Sequence, residues 1–191
     1  WKFAKVPLGR AVIKLMFDDN KLIGHYAVIP MNIQVQNKLV RAALSVNTMT
    51  HPNYEGQGIF SYLAEEAYEK CRREGFKFVY GFPNENSYYG FTRKLGWKDL
   101  GKMTTLEKEL EAQKARETCE KVGLYPVERF DERVNSLWNK TKDICPVSVA
   151  RTEEFLNWRF VEHPTVKYSK FIFQDSSDEI LAYLVLKIYT K

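Results

Sequence analysis

Thr48-Met49-Thr50-His51-Pro52-Asn53-Tyr54-Glu55-Gly56-Gln57-Gly58-Ile59-Phe60-Ser61 is the stretch on which the fold turns. An extended run over residues 39–50 stops at His51-Pro52-Asn53, because Pro52 has no N–H to give a β-ladder. Two glycines follow. The chain then enters Phe60–Glu74, where Leu63, Ala64, Ala67, Tyr68 and Cys71 recur at helical spacing. Gly75 closes that helix as a C′ glycine does. A strand that runs through a glycine loop straight into a helix leaves the first helical N–H groups without intrahelical partners, at the positive end of the helix dipole. Such an array suits phosphate, and glycine lets an anion approach the backbone with no Cβ in the way. The spacing is not G-x-G-x-x-G, since position 61 is serine, and it is not a P-loop, which needs Gly-Lys-Ser/Thr. Taken alone, Gly-Gln-Gly before a helix fits a plain tight turn equally well.

Upstream, residues 11–17 and 22–29 are β-rich runs joined by Asp18-Asp19-Asn20-Lys21, which reads as a hairpin turn. Downstream come a short strand at 76–82, a helix at about 87–95 stopped by Gly96, and one or two strands in 97–106. The order strand, strand, strand, helix, strand, helix, strand predicts an α/β (α+β) unit with mixed pairing. Strands 11–17, 22–29 and 39–50 should form an antiparallel meander, and helix 60–74 should cross to a parallel strand at 76–82. Residues 107–123 are charge-dense and read as a helical linker. Beyond them the pattern predicts a strand at 124–127, helices at about 129–142 and 152–161, and strands at 168–174 and 179–189.

A repeat sets the domain organisation. Trp1-Lys2-Phe3-x-x-x-Pro7 recurs 157 residues later as Trp158-Arg159-Phe160-x-x-x-Pro164. Continued without a gap, Asp18 meets Asp175, Ile23 meets Ile180, Tyr26 meets Tyr183 and Val28 meets Val185. That makes 7 identities in 34 positions, against about two by chance; two aromatic-rich hairpins can coincide in this way, and the other reading is that the same lobe is present twice. The expected organisation is a first lobe over 1–106 without opening helices, the linker 107–123, and the start of a second, similar lobe over 124–191. The second hairpin should then superpose on residues 11–29.

Composition excludes several classes. The 191 residues are 45% hydrophobic and 14% aromatic, which is too apolar for a disordered chain. No apolar run approaches the roughly 18–20 residues that span a bilayer. Trp1-Lys2-Phe3 opens no secretory signal, so no membrane association is expected. Cys71, Cys119 and Cys145 are odd in number and form no C-x-x-C pair, which points to a reducing, cytoplasmic setting with neither disulfides nor a metal site. The net charge of +5 is uneven, with +6 on residues 1–106 and −1 on 107–191. The basic residues are scattered and lack an aromatic–basic stripe, so the charge reads as solubility and no nucleic-acid partner is expected.

In context the glycine loop is more specific. His51-Pro52-Asn53-Tyr54-Glu55-Gly56-Gln57-Gly58-Ile59 resembles the acetyl-CoA loop of the GNAT (Gcn5-related) N-acetyltransferases. Gly81-Phe82-Pro83-Asn84-Glu85-Asn86-Ser87 and Gly90-Phe91-Thr92-Arg93-Lys94-Leu95-Gly96-Trp97 are similar to that family's later strand–helix and its K-L-G-F ending. The resemblance covers about residues 11–106. It implies a mostly antiparallel mixed sheet flanked by helices, split between two parallel strands, with acetyl-CoA as co-substrate and an amine-bearing acceptor. By the same resemblance, backbone at Thr48, Met49 and Thr50 pairs with the pantetheine arm. Gly56, Gln57, Gly58, Ile59, Phe60 and Ser61 bind the pyrophosphate, and Asn86 matches a cofactor-contacting asparagine after a one-residue shift. The motif Gln/Arg-x-x-Gly-x-Gly/Ala is broken twice. Glu55 puts a negative charge near the expected phosphates, and Phe60 puts bulk near the cofactor.

Attack on a thioester needs a neutral amine, a proton acceptor, a polarised carbonyl and a proton for the leaving thiolate. The position matching the family's usual base is Leu44, and the position matching its usual tyrosine acid is Thr92. The catalytic groups are therefore open, with His25, Tyr88, Tyr89 and Glu85 as candidates. The plainer reading of His25 is a hydrogen-bonded strand histidine, of the tyrosines rim or core aromatics, and of Glu85 a solvated cap. The alternative to an N-acetyltransferase is a degenerate lobe that serves as a CoA-binding or protein-interaction module. An exposed edge on the last strand offers a route to an oligomer.

Overall fold

The computed structural model describes residues 1–108 and 123–189. These fall into two compact units. The first is Trp1–Asp99 with Lys142–Ala150, and the second is Leu100–Thr141 with Arg151–Lys191. The sequence reading kept 142–150 with the second lobe, whereas its contacts group it with the first unit.

The first unit is built on a long meander of β1 (Val12–Asp18), β2 (Lys21–Val35) and β3 (Lys38–Thr50). All three pair antiparallel. The β1–β2 turn holds Asp19 at φ 50°, a left-handed conformation that short polar residues tolerate. β2 runs six residues past the expected end at Ile29, straight through Pro30. On that edge β2 pairs with β1 up to Val28 and with β6 (Val147–Val149) from Ile33. Pro30 falls in the gap, where a missing N–H removes no bond to either neighbour. Gln36 and Asn37, with φ of 43° and 61°, close a two-residue hairpin into β3.

Helix α1 (Ile59–Arg73) buries Ile59, Leu63, Ala64, Ala67 and Cys71 against Val12, Ile23, Tyr26 and Val28. The approach is close. A Cβ on Gly24 would stand 2.5 Å from Ile59 Cγ2 and 2.8 Å from Leu63 Cδ1. Gly75 ends the helix at φ +81°, with Lys70, Arg72 and Arg73 facing the negative end of its dipole. β4 (Val79–Tyr80) then pairs parallel to β3 through Ala43↔Val79 and Leu44↔Tyr80. It is shorter than the expected 76–82, although the Ala43 N–H donates to Phe78 O (3.0 Å) and the Lys77 N–H to Arg41 O (2.8 Å). Helix α2 (Glu85–Tyr89) continues as a π turn over Gly90–Lys94, and Gly96 at φ +66° ends it.

No strand forms over 97–106, contrary to the sequence expectation. Trp97 is drawn inward instead, its ring 4.4 Å from that of Phe91 and its Nε1–H donating to Tyr68 Oη (2.9 Å). Leu100, Met103 and Leu106 are exposed, so the segment read as strand buries little. The linker helix expected over 107–123 lies almost wholly outside the described residues, as does Cys119.

The second unit packs α3 (Arg133–Thr141) and α4 (Glu153–Phe160) on an antiparallel sheet of β5 (Gly123–Pro126), β7 (Ser169–Gln174) and β8 (Ile180–Leu186). Its core holds Phe130, Val134, Leu156, Ile172 and Ile180. Asn157 is buried there at no net loss, because its amide exchanges two 2.9 Å bonds with the backbone of Phe130.

The two hairpins share a feature. The register slips between Met16 and Phe17 and again between Phe173 and Gln174, positions 157 apart, with the extra residue on the partner strand, Ile23 in β2 and Leu181 in β8. The next pairs are Phe17↔Leu22 and Gln174↔Ile180, so the second turn is one residue longer. By register His25 corresponds to Tyr183 and Leu22 to Ile180, which replaces the gap-free matching of Tyr26 and Ile23. The face of β7–β8 that carries the helices then corresponds to the face of β1–β2 opposite α1, where Ile13, Leu15 and Phe17 stand exposed.

Candidate functional site

Two local features part β3 from β4. Below the split, the strands are tied at Ala43–Leu44. Above it, β3 bulges: Ala27 pairs with Val46 but His25 with Met49, and Asn47 in the extra position takes φ 51°. Into the opening face Thr48, Met49 and Thr50 from β3, and Tyr54, Glu55, Gly56 and Gly58 from the loop. Ile59, Phe60 and Ser61 come from the first turn of α1, and Asn84, Asn86, Ser87, Tyr89, Gly90 and Lys94 from the far wall. The cleft they line has a volume of about 770 Å³.

The loop is pinned to the β1–β2 hairpin. The His51 N–H donates to Ile23 O (2.8 Å), and His51 Nδ1 accepts from the Asn53 N–H (3.2 Å). The Tyr54 hydroxyl donates to Asp18, which pushes that phenol up, and its ring lies 5.6 Å from that of His51. Gly56 and Gly58 take φ of +76° and +81°, and nothing stands within 4 Å of where either Cβ would be. Their cost to a side chain is thus conformational, and the space in front of them is open. The Tyr62 N–H closes the first helical bond onto Gly58 O (3.0 Å), leaving the earlier N–H groups for another acceptor.

Phe60, unexpected in such a loop, is absorbed by Gly90. A Cβ on Gly90 would sit 2.9 Å from the Phe60 ring, which also packs 5.1 Å from Phe91 and 5.8 Å from Tyr26. Its bulk therefore fills the floor between α1 and α2 as well as bordering the cleft. Beneath lies a polar chain in which Ser45 Oγ donates to Tyr26 Oη (3.0 Å) and Trp97 Nε1 to Tyr68 Oη (2.9 Å). The two phenols lie 2.7 Å apart. Burial pushes both tyrosines above their ordinary value, holding them neutral.

The structure brings together nearly all the residues expected at the cofactor: Thr48, Met49, Thr50, Gly56, Gly58, Ile59, Phe60, Ser61 and Asn86 line one cleft, and Gln57 does not. Of the catalytic candidates only Tyr89 lines it, 64% exposed. His25 places Nδ1 2.5 Å from Asn47 O, so that nitrogen donates to the carbonyl and helps hold the bulge. Tyr88 donates to Asp99 Oδ2 (2.6 Å), and accepting that bond the carboxylate pushes the phenol up. Glu85 stands in the first turn of α2, away from the cleft wall. Thr92 Oγ1 turns back onto Tyr88 O (2.9 Å).

Sequence reasoning missed Tyr54, Asn84, Ser87, Gly90 and Lys94 as lining residues. Asn84 and Ser87 carried a readable signal, an asparagine cap three residues before a serine whose N–H it accepts (3.0 Å). Lys94 did not, because its place on the wall depends on the π turn. Among the described residues no group of three or more His, Cys, Asp or Glu could hold a metal ion. No helix among them is long and apolar enough to cross a membrane.

With this geometry in place, the comparisons define a class. The profile of the acetyltransferase (GNAT) domain family matches residues 1–99, and the chain belongs to that family. A solved structure of a conserved protein of unknown function from Enterococcus faecalis V583, described as a probable N-acyltransferase, superposes with a TM-score of 0.64 at 14% identity. That match covers 91% of this chain and 44% of the other, so the present chain spans under half of that protein's length. A predicted acetyltransferase with acetyl-CoA from Clostridium acetobutylicum matches at 17% identity over 51% of this chain and 64% of its own, with a TM-score of 0.45. An acetyltransferase from Trypanosoma brucei matches at 19% identity over 51% and 69%, with a TM-score of 0.43. At 14% identity the likeness to the Enterococcus faecalis protein is one of fold alone. No curated protein matches the chain significantly.

Proposed function

We propose that the cleft binds an acyl-CoA, with acetyl-CoA as the donor, and presents its thioester to an amine acceptor for direct transfer. The observation that carries this reading is the convergence, on one opening, of the parted β3 backbone and the free N–H groups at the start of α1. An extended pantetheine arm can pair with the first, and a pyrophosphate can bridge the second. Thr48, Met49 and Thr50 would hold the arm. Gly56, Gly58, Ile59, Phe60 and Ser61 would hold the phosphates, and Asn86 would face the arm from the opposite wall. Acetyl-CoA supplies an activated carbonyl. The chain's part is to orient it and to polarise its oxygen through backbone at Met49. As the amine nitrogen bonds to the carbonyl carbon and the C–S bond breaks, one proton leaves the nitrogen and one reaches the thiolate. Tyr89 is the candidate hydroxyl nearest that path, and water fills the remaining role. The free thiols Cys71 and Cys145 suit a reducing, cytoplasmic setting.

A second reading has its own observations. Leu44 lies within the sheet pairing to Ile29 and Tyr80, and Thr92 is bonded to its own helix, so neither supplies the family's usual proton groups. A lobe that binds CoA without turnover fits these two residues. Thiol release from acetyl-CoA across a panel of amines separates the readings. Release that depends on an amine supports the enzyme, and binding without release supports the module.

The tandem organisation is part of the same proposal. The shared bulge position and the 157-residue offset support reading 124–191 as the opening of a second lobe. The outer edge of β8, at the end of its sheet, is where an oligomer would add a strand.

A further inference from the structure

We infer that Lys94 is the side chain through which the cleft pairs with phosphate, taking from the far wall the role that Glu55 cannot fill in the loop. This rests on the acyl-CoA reading of the cleft and adds a residue to it. Among the described residues, the lining contains one cationic side chain, Lys94, and one carboxylate, Glu55. Neither forms an ion pair with another described residue, so each acts on whatever enters the cleft.

Helix geometry puts Lys94 there. Asn86, Gly90 and Lys94 all line the wall, at steps of four. In an α-helix each such step overshoots a full turn by about 40°, so a regular helix would carry position 94 about 80° away from Asn86. The π turn over Gly90–Lys94, closed by the Leu95 N–H onto Gly90 O (3.1 Å), is wider and falls short of a full turn by roughly as much. The second step cancels the drift of the first, and Lys94 returns to the line of Asn86. A lysine in the last turn of a helix has an ordinary use in facing the dipole. That use would not need the residue on the cleft wall.

The test is calorimetric binding of CoA, dephospho-CoA and pantetheine to the wild-type chain, K94Q and K94R. Lys94 is exposed, and thermal unfolding should be the same in all three proteins. The expected result is CoA affinity lowered about five- to tenfold in K94Q, with a smaller dependence on salt, and largely retained in K94R. Pantetheine, which has no phosphodiester or 3′-phosphate, should bind wild type and K94Q alike. An effect that disappears with dephospho-CoA places the contact at the 3′-phosphate, and one that persists places it at the pyrophosphate. Wild-type binding of CoA matched by K94Q overturns the role of Lys94 and leaves the cleft reading standing, as does an equal loss for pantetheine. A wild-type chain that binds no CoA overturns both.

Discussion

Glu55 and the four acidic protons of Tyr26, Tyr68, Cys71 and Tyr80 set the behaviour at the scale of single residues. Glu55 lines the cleft and forms no ion pair among the described residues, so it repels an incoming phosphate across solvent. Glu55→Gln should tighten CoA binding by about two- to fivefold at low salt, with the gain shrinking as salt is raised. Titration calorimetry at two ionic strengths checks this. The four protons, two buried and two half-buried, govern alkaline stability. Burial pushes Tyr80 up to about 12 and the Cys71 thiol up to about 11, and raises Tyr26 and Tyr68 as well. In the unfolded chain these groups ionise near their ordinary values, 9.0 for the thiol and 10.0 for the phenols. Below pH 9 both states hold the protons and stability is complete. Above it the unfolded chain releases them first, so stability should fall steadily between about pH 9 and 12. Thermal melts across that range should show the midpoint dropping, and the native Cys71 should resist thiol reagents at neutral pH.

Two glycines carry the contacts between elements. At Gly24 the backbone of β2 meets α1 with no room for a methyl, so Gly24→Ala should cost about 1–3 kcal/mol in denaturant unfolding. At Gly90 the floor of the cleft is shared with Phe60. Gly90→Ala should push that ring toward the ligand and weaken CoA binding about two- to threefold, and adding Phe60→Ala should recover it. These couplings mark the limit of what the sequence makes legible. The meander, α1 and its glycine ends were readable because periodicity, Pro52 and Gly75 each act locally. The passage of β2 through Pro30 was not, since it depends on which neighbour is missing beside one residue. Trp97 was read as strand because its pull toward Phe91 and Tyr68 is a tertiary contact. The cofactor side of the cleft was readable from the loop and its resemblance. On the far wall the Asn84 cap and Asn86 were readable too, whereas Lys94 was not, since the π turn leaves no mark in spacing. His25 and Tyr88 looked available in sequence, and in the fold His25 Nδ1 is engaged by Asn47 and the Tyr88 hydroxyl by Asp99.

At the scale of the whole chain, one glycine loop before one helix start distinguishes the first unit. The second unit, over its described residues, has a hairpin and two helices but no such loop. The hairpins agree in bulge position and differ by one residue in the turn, and the duplication proposed above would account for both the offset and its slip. On that account the described residues hold a single array of N–H groups suited to phosphate. The most direct measurement is a calorimetric titration of acetyl-CoA into the wild-type chain and into Gly58→Val, whose β-branched side chain is strained at φ +81° and fills the open space before the loop. The account predicts one site per chain, weakened about tenfold or more by Gly58→Val. No binding, two equivalent sites, or an affinity untouched by the substitution would contradict it.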